Sequence, residues 1–158
     1  MEEQLVVFEL NSEAYGVNVA HVQSIIPMQK IIAIPGASNF IEGVVNLRGA
    51  IIPVVDLRHR FNLSLPVNGQ KSVIVIAELN KLKVGLIVDK VSEVVKMSEE
   101  AIEPPSSLLT SGNVDNSYLR GIGKSKRIGQ DEEEELVILL DLNRIFSPDD
   151  QQMLVRAA

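Results

Sequence analysis

The residues of this chain that could do chemistry are few, and its two histidines come first. His21 lies in an apolar stretch, and His59 lies between Arg58 and Arg60. Neither belongs to an H-E-x-x-H motif or has a close spacing to carboxylates, so surface or loop positions are favoured over metal ligation. The chain has no cysteine, which excludes disulfides, thiolate metal sites and cysteine nucleophiles. The sequence therefore predicts no metal site, and no cofactor is implied.

Signatures of catalysis are also weak. No G-x-S-x-G motif is present, so one common hydrolase signature is missing. Gly121-Ile122-Gly123-Lys124-Ser125 ends like a phosphate-binding loop, but Tyr118 stands where that loop requires its first glycine. Lys126 stands where a dinucleotide-binding motif has its third glycine, so we interpret the segment as a strand and turn. We assign no catalytic residue and predict a non-enzymatic chain; the alternative, a small enzyme, would need a clustered, titratable pocket.

Arg48 is a different kind of residue, because it lies between a strand-like run and a glycine. In the segment Asn46-Leu47-Arg48-Gly49, a turn would hold the guanidinium in place. A guanidinium so held offers five donors to a carboxylate or carbonyl of a partner. The equally good alternative is that Arg48 pairs within its own subdomain, with Asp56 as the candidate acceptor.

The elements that must position these residues are mostly strands. Short runs rich in β-branched residues and leucine, bounded by turn residues, predict strands over Leu5–Leu10, Ser72–Leu79 and Leu136–Leu140. Alternation over Leu82–Val88 predicts a strand with one face buried more deeply than the other. Ser147 as a cap and Pro148 at the first helical position predict a C-terminal helix over residues 148–156.

An internal repeat organises these strands. When the sequence is shifted by 69 positions, Glu9-Leu10-Asn11 falls on Glu78-Leu79-Asn80. Further on, Leu47-Arg48-Gly49 recurs as Leu119-Arg120-Gly121. The two copies predict an all-β fold of two five-stranded small barrels, at about residues 5–66 and 72–146, which share one hydrophobic seam.

The second half of each copy differs in length. Asp56-Leu57 recurs as Asp141-Leu142, but the distance from the preceding arginine grows from eight residues to 21. That difference predicts an extended hairpin around Asp131–Glu135, whose acids we interpret as a solvated tip.

Composition limits the partners. Lys and Arg number 15 against 21 Asp and Glu, which gives a formal charge of −6, and aromatic residues make up only 4%. This balance disfavours nucleic acid as a partner, because phosphate is repelled and bases find few stacking platforms. No apolar run approaches the length of a membrane span, and the acidic N-terminus is unlike a secretory signal. We expect a soluble, cytoplasmic chain without direct membrane insertion.

The run from Ile41 to Phe61, with the letters IEGVVNLRGAIIPVVDLRHRF, closely resembles the signature of the CheW family of chemotaxis coupling proteins. The upstream Phe8-Glu9-Leu10 and Tyr15-Gly16-Val17 and the downstream Val84–Val91 resemble the rest of that pattern. The similarity covers nearly the whole chain, residues 1–158, as a single CheW-like domain. It implies two five-stranded SH3-like barrels and a scaffold that ties the histidine kinase CheA to the cytoplasmic tips of chemoreceptors.

The resemblance also implies two sets of site residues. The residues on the kinase-facing side would be Val22, Gln23, Ser24, Ile25 and Gly43. The residues associated with receptor coupling would be Asn46, Arg48, Gly49 and Val88. The chain would act in the cytoplasm, at membrane-associated receptor arrays, with the receptor tip in the groove between the barrels.

One position departs from the family pattern. Ser24 stands where the family usually has an acidic residue, whereas the second copy of the repeat has Glu93 at the equivalent place. Serine cannot make the charge-assisted contact of a glutamate, so pairing with a kinase surface would be weaker or altered. An adaptor of another sensory kinase pathway, such as pilus-based motility, is therefore the alternative. A fragment of a larger kinase is disfavoured by the capped C-terminal helix.

Overall fold

A computed structural model describes residues 2–37, 39–61, 63, 72–104, 119–126 and 134–157. Eleven strands are found in this part of the chain. They are β1 (Glu2–Leu10), β2 (Glu13–Asn18), β3 (Val22–Pro27), β4 (Ile41–Leu47), β5 (Ala50–Asp56), β6 (Val73–Leu79), β7 (Leu82–Val88), β8 (Lys90–Ser98), β9 (Ile102–Glu103), β10 (Leu119–Lys126) and β11 (Glu134–Leu140). The helices are α1 (Leu57–Arg60), α2 (Leu142–Ile145) and α3 (Pro148–Ala157).

The strands form two sheets. One has five strands in the order β3-β6-β7-β5-β4, and the other has six in the order β8-β1-β2-β11-β10-β9. The sixth strand is β9, which contributes only two residues. The all-β architecture of two small sheets with a short C-terminal helix is therefore confirmed.

Each sheet takes strands from both halves of the sequence. Strands β1 and β2 of the first repeat join β8 to β11 of the second, while β6 and β7 of the second repeat join β3 to β5 of the first. The ranges 5–66 and 72–146 therefore describe the sequence repeats rather than the two sheets. The repeats exchange their first hairpins, so each sheet is completed by the other half of the chain.

The exchanged hairpins have matching turns, which supports the repeat at the 69-residue offset. Asn11 and Ser12, between β1 and β2, have φ angles of 55° and 70°. Asn80 and Lys81, between β6 and β7, have φ angles of 48° and 69°. Two consecutive left-handed residues fit the twist of a tight β-hairpin, and asparagine tolerates this region better than most residues.

The predicted match between Arg48 and Arg120 is wrong. Arg48 lies in the turn after β4, whereas Arg120 lies inside β10, at an irregularity where the register with β11 shifts. The equivalent irregularity in the first repeat is in β4, so Gly121 corresponds to Gly43 and not to Gly49. The sequence comparison matched the letters L-R-G, but the strand register, which the letters do not report, decides which residues are equivalent.

The strands β10 and β11 form the predicted second hairpin, with Lys126 paired to Glu134. The residues between them, including Asp131 to Glu133, lie outside the described residues. Glu134 and Glu135 belong to β11. The segment Gly121–Ser125 lies within β10. It is therefore strand and not a phosphate-binding loop, as its missing glycines indicated.

The short helices begin at side-chain caps. The carboxylate of Asp56 accepts a hydrogen bond from the backbone N–H of Arg58, and Asp141 caps α2 in the same way. At α3, the Ser147 hydroxyl accepts from the Asp150 N–H, and the Asp150 carboxylate accepts from the Ser147 N–H. This reciprocal pair satisfies donors that would otherwise lack partners at the helix start and confirms the predicted C-terminal helix.

The largest apolar cluster contains residues of both sheets, as a shared seam requires. Two smaller clusters each belong to one sheet. The first comprises Leu5, Val7, Ala14, Met97, Val137 and Leu139, and the second comprises Val45, Ile52, Val54, Ile74, Ile76 and Ile87. Strand β7 has the predicted period, but both of its faces are buried beyond Lys83. Val84, Leu86 and Val88 face the shared cluster, while Ile87 faces the cluster of its own sheet.

A buried ion network also joins the two repeats. Arg58 donates to both carboxylate oxygens of Asp56 at 2.9 Å and to Asp89 Oδ1 at 2.7 Å. The other oxygen of Asp89 accepts from the Asn11 N–H at 2.7 Å. The hydrogen bond to the Asp56 carboxylate is the main cause that raises the pKa of Arg58. The guanidinium therefore stays charged and ties α1 to the segment between β7 and β8.

A second ion pair ties the chain start to β10. Arg120 makes a two-pronged contact with Glu3, whose carboxylate also accepts from the side-chain amide of Asn18. The hydrogen bond from Arg120 lowers the pKa of Glu3 from its ordinary value. Arg120 therefore has a structural role, because its ion pair with Glu3 joins β10 to β1.

Candidate functional site

The segment that carries Arg48 is a tight turn between β4 and β5. Leu47 and Ala50 face each other across the ladder, and the two residues between them have φ angles of 52° for Arg48 and 86° for Gly49. The Asn46 side-chain oxygen accepts from the Gly49 N–H at 3.0 Å. Glycine suits this backbone, whereas arginine is strained there by about 1 kcal/mol or more. Arg48 therefore occupies a left-handed backbone position at which stability alone would favour glycine or asparagine.

The Arg48 side chain is exposed and makes no hydrogen bond or ion pair with any residue that the structure describes. Asp56, its possible internal partner, is buried and engaged by Arg58. The alternative of an internal pair with Asp56 is therefore wrong, and the guanidinium of Arg48 faces solvent with its donors available.

The strand β3 carries Gln23, Ser24 and Ile25. Its register with β6 shifts between Val22 and Ser24, so Gln23 is the extra residue of a bulge. A bulge re-aims the neighbouring side chains, and here it leaves Gln23 exposed. Ile25 keeps 45% of its surface accessible, which is high for a large apolar residue.

These two elements border one groove of about 540 Å³. Its lining residues are Gln23, Ser24, Ile25, Ile26, Leu47, Arg48, Ala50, Ile52 and Lys83. Three residues from the kinase set, Gln23, Ser24 and Ile25, thus lie beside Arg48 from the receptor set. Ile51 stands next to the groove residues in the chain and is 57% exposed.

The remaining predicted residues lie elsewhere. Val22 packs against the shared core, and Gly43 lies in β4, where a Cβ atom would come within 2.3 Å of the Ile32 carbonyl oxygen. Gly43 therefore permits a close backbone approach between β4 and the segment that contains Ile32. Val88 is fully buried, with 0% exposure, so its side chain cannot contact a partner in this conformation.

Lys83 is the groove residue that the sequence did not reveal as a site residue. It lies in β7, which pairs in parallel with β5, and that pairing brings Lys83 to the same surface as the turn after β4. No local motif marks such a position, because the strand order that creates it joins segments from different repeats. Leu47 and Ile52 likewise line the groove without having been predicted as site residues.

The chemistry available at this surface is recognition. Within the described ranges, no group of three His, Asp or Glu residues could hold a metal ion. His59 lies 3.4 Å from Glu42, a pair that is open to solvent. In the same part of the chain, no helix is long and apolar enough to cross a membrane. An apolar groove with cationic side chains is instead typical of protein recognition.

Comparisons with known proteins agree with one another. A family model described as a CheW-like domain matches residues 4–149. The chain is 30% identical over 155 residues to the chemotaxis protein CheW of Treponema pallidum (strain Nichols), which covers 96% of this chain and 86% of that protein. It is 31% identical over 158 residues to the chemotaxis protein CheW of Bacillus subtilis (strain 168), and the match covers 97% of this chain and 92% of that protein. The crystal structure of the scaffolding protein TtCheW from Thermoanaerobacter tengcongensis matches with a TM-score of 0.81 and 36% identity, over 98% of this chain and 99% of that one.

Proposed function

This chain belongs to the CheW-like family, and on that premise we propose that it couples a CheA-type histidine kinase to the cytoplasmic tips of methyl-accepting chemoreceptors. The family consists of chemotaxis adaptors and scaffolds, so the chain is an adaptor and not an enzyme. Its work is to hold two partners in a fixed relation on one rigid body. The proposal locates the chain in the cytoplasm, at membrane-associated receptor arrays, without nucleic acid as a partner and without insertion into the membrane.

The observation that carries this proposal is the groove between β3 and the turn after β4. The kinase would contact the side formed by Gln23, Ser24 and Ile25, and Gly43 would keep the neighbouring backbone in place. Burial of exposed aliphatic side chains such as Ile25 would supply most of the binding free energy. Val22 would support this side from the core.

The receptor would contact the turn that carries Arg48. Asn46 and Gly49 fix the turn through their hydrogen bond, so the backbone that carries Arg48 has a defined conformation. The planar guanidinium of Arg48 can donate two parallel hydrogen bonds to a carboxylate, which makes the contact geometrically specific. Val88 would act only by supporting the fold, since it is buried. The two partners would then meet near one groove, which is a direct route for coupling.

Isothermal titration tests this proposal. Wild-type chain is titrated with the regulatory domain of a CheA-type kinase from the same organism, and Arg48→Ala is measured alongside it. We expect micromolar binding by the wild type. Unchanged kinase binding by Arg48→Ala would support its place on the receptor side, whereas loss of kinase binding would move Arg48 to the kinase side.

A second candidate is an adaptor of another sensory kinase pathway, such as pilus-based motility. The observation that favours it is Ser24, a neutral residue at the centre of the candidate kinase surface. The same titration distinguishes the two, because this alternative predicts no binding to the chemotaxis kinase and binding to the kinase of the other pathway.

A further inference from the structure

The charged side chains of the groove indicate what it binds. We propose that the groove between β3 and the turn after β4 takes an aliphatic side chain flanked by carboxylates, on the regulatory domain of the kinase. This inference rests on the proposed function and adds the chemistry of the partner surface. It makes Lys83 a specificity-determining residue of the adaptor.

The groove lining is cationic and contains no acidic residue. Arg48 and Lys83 are its charged members, and the other seven lining residues are neutral. Glu78 is the neighbour of Lys83 across the β6–β7 ladder, yet no ion pair joins them within the described residues. Because neither cation is neutralised by a described acid, Lys83 can pair with carboxylates of the kinase, and Arg48 stays available for the receptor.

This local charge is opposite to that of the whole chain. The chain has a formal charge of −6, so its average field repels an acidic protein. A cationic groove on such a chain attracts an acidic kinase surface only in the orientation that brings the carboxylates to Lys83, while Arg48 adds to the local positive field. The charge pattern therefore favours one binding pose and suppresses others.

The neutral Ser24 is part of the same pattern. At the equivalent position of the second repeat, 69 residues later, the chain has Glu93. A glutamate at position 24 would lie in the same groove lining as Lys83 and Arg48 and would offset their charge. Serine leaves that charge uncompensated, which favours a partner that brings its own carboxylates.

The apolar lining explains the aliphatic part of the ligand. Ile26, Leu47 and Ile52 line the groove, and Ile25 stands at it with 45% of its surface exposed. A cavity of about 540 Å³ has room for side chains of a partner rather than for a whole domain. An aliphatic side chain that enters it would release water from these residues, while carboxylates at the rim pair with Lys83.

The test measures the affinity of the full chain for the regulatory domain of the organism's CheA-type kinase, with wild type, Lys83→Glu and Ser24→Glu. The matched control is Lys96→Glu, which makes the same change at an exposed lysine of β8, in the other sheet. Circular dichroism and the urea midpoint verify that each variant is folded. Each titration is repeated at low and high salt.

We expect Lys83→Glu and Ser24→Glu each to weaken binding by about tenfold or more, and Lys96→Glu to change it less than about twofold. Salt should weaken wild-type binding and have a smaller effect on Lys83→Glu. If Ser24→Glu and Lys83→Glu bind the kinase domain as tightly as the wild type or more tightly, this inference is overturned and the adaptor function still stands. Failure of the wild type itself to bind would overturn the proposed function, and the inference with it.

Discussion

Arg48 and Arg58 are ten residues apart in the chain, yet the structure gives their side chains opposite environments. Arg48 is exposed, without a partner among the described residues, on a strained turn. Arg58 is buried and donates to Asp56, Asp89 and Ser72. We interpret Arg48, which is strained and exposed, as a recognition residue, whereas the buried and fully engaged Arg58 supports the fold. The sequence predicted a special role for Arg48 from its turn, but it gave no sign of the role of Arg58, whose partner Asp89 lies in the other repeat.

This contrast makes a prediction. Arg48→Ala should change the free energy of unfolding by less than about 0.5 kcal/mol, while it impairs assembly of the kinase, adaptor and receptor. Arg58→Ala should lower the free energy of unfolding by about 3–5 kcal/mol, because it leaves the buried Asp56 carboxylate and the half-buried Asp89 carboxylate without their cation. Urea unfolding at neutral pH measures both. Equal destabilisation by the two variants would contradict these roles.

Glu3 gives the fold an acid sensitivity. Its pKa lies below the ordinary value of 4.5 because Arg120 donates to it, so the folded state binds the proton less tightly than the unfolded state. The pair therefore stabilises the fold above about pH 4.5, and this stabilisation is lost as the pH falls through the lowered pKa of Glu3. We expect Glu3→Gln to cost about 1–2 kcal/mol at pH 7 and progressively less below pH 4.5. Unfolding curves of wild type and variant across this range should converge at low pH; a constant difference would contradict the assignment.

Strands and helices that depend on contacts between residues close in the chain could be predicted from the sequence. The capped helix at Ser147 and the strands β1, β6 and β7 were recognisable from the sequence. The position of Arg120 was not, because it depends on a register shift in β10. The register is set by which side chains are buried against the partner strand, and a short letter match carries no information about that.

Gly43 lies in β4 and Gly49 lies in the turn that follows it, and the space around the two glycines differs. A Cβ at Gly43 would meet backbone atoms of Ile32, the closest at 2.3 Å, whereas a Cβ at Gly49 meets nothing within 4 Å. Gly49→Ala should therefore cost only the strain of a positive φ, about 1 kcal/mol. Gly43→Ala should cost at least about 1–3 kcal/mol more, because the pairing of Ile32 with Val44 must open. Thermal unfolding compares them, and equal melting temperatures would show that the segment at Ile32 adjusts without cost.

At the scale of the whole molecule, the exchange of hairpins between repeats makes the two halves depend on each other. The shared core, the ion network of Arg58 and the parallel pairings of β5 with β7 and β11 with β2 all join segments distant in the chain. The sequence predicted two related units with a common seam, and it could not predict which strands each unit would contain. Lys83 lies at the groove only because β7 of the second repeat pairs with β5 of the first. The residues next to Lys83 in the sequence therefore could not predict its position at the site.

The resulting fold brings four of the candidate partner residues, Gln23, Ser24, Ile25 and Arg48, to one groove. We propose that this surface links a kinase to receptors, and such linkage is best measured with all three components present. Membranes that contain the chemoreceptor are mixed with the CheA-type kinase of the same organism, with or without this chain, and sedimented. The kinase should sediment with the membranes when the chain is present, and much less when it is absent or replaced by Arg48→Ala. Equal sedimentation of the kinase with and without the chain would contradict the account.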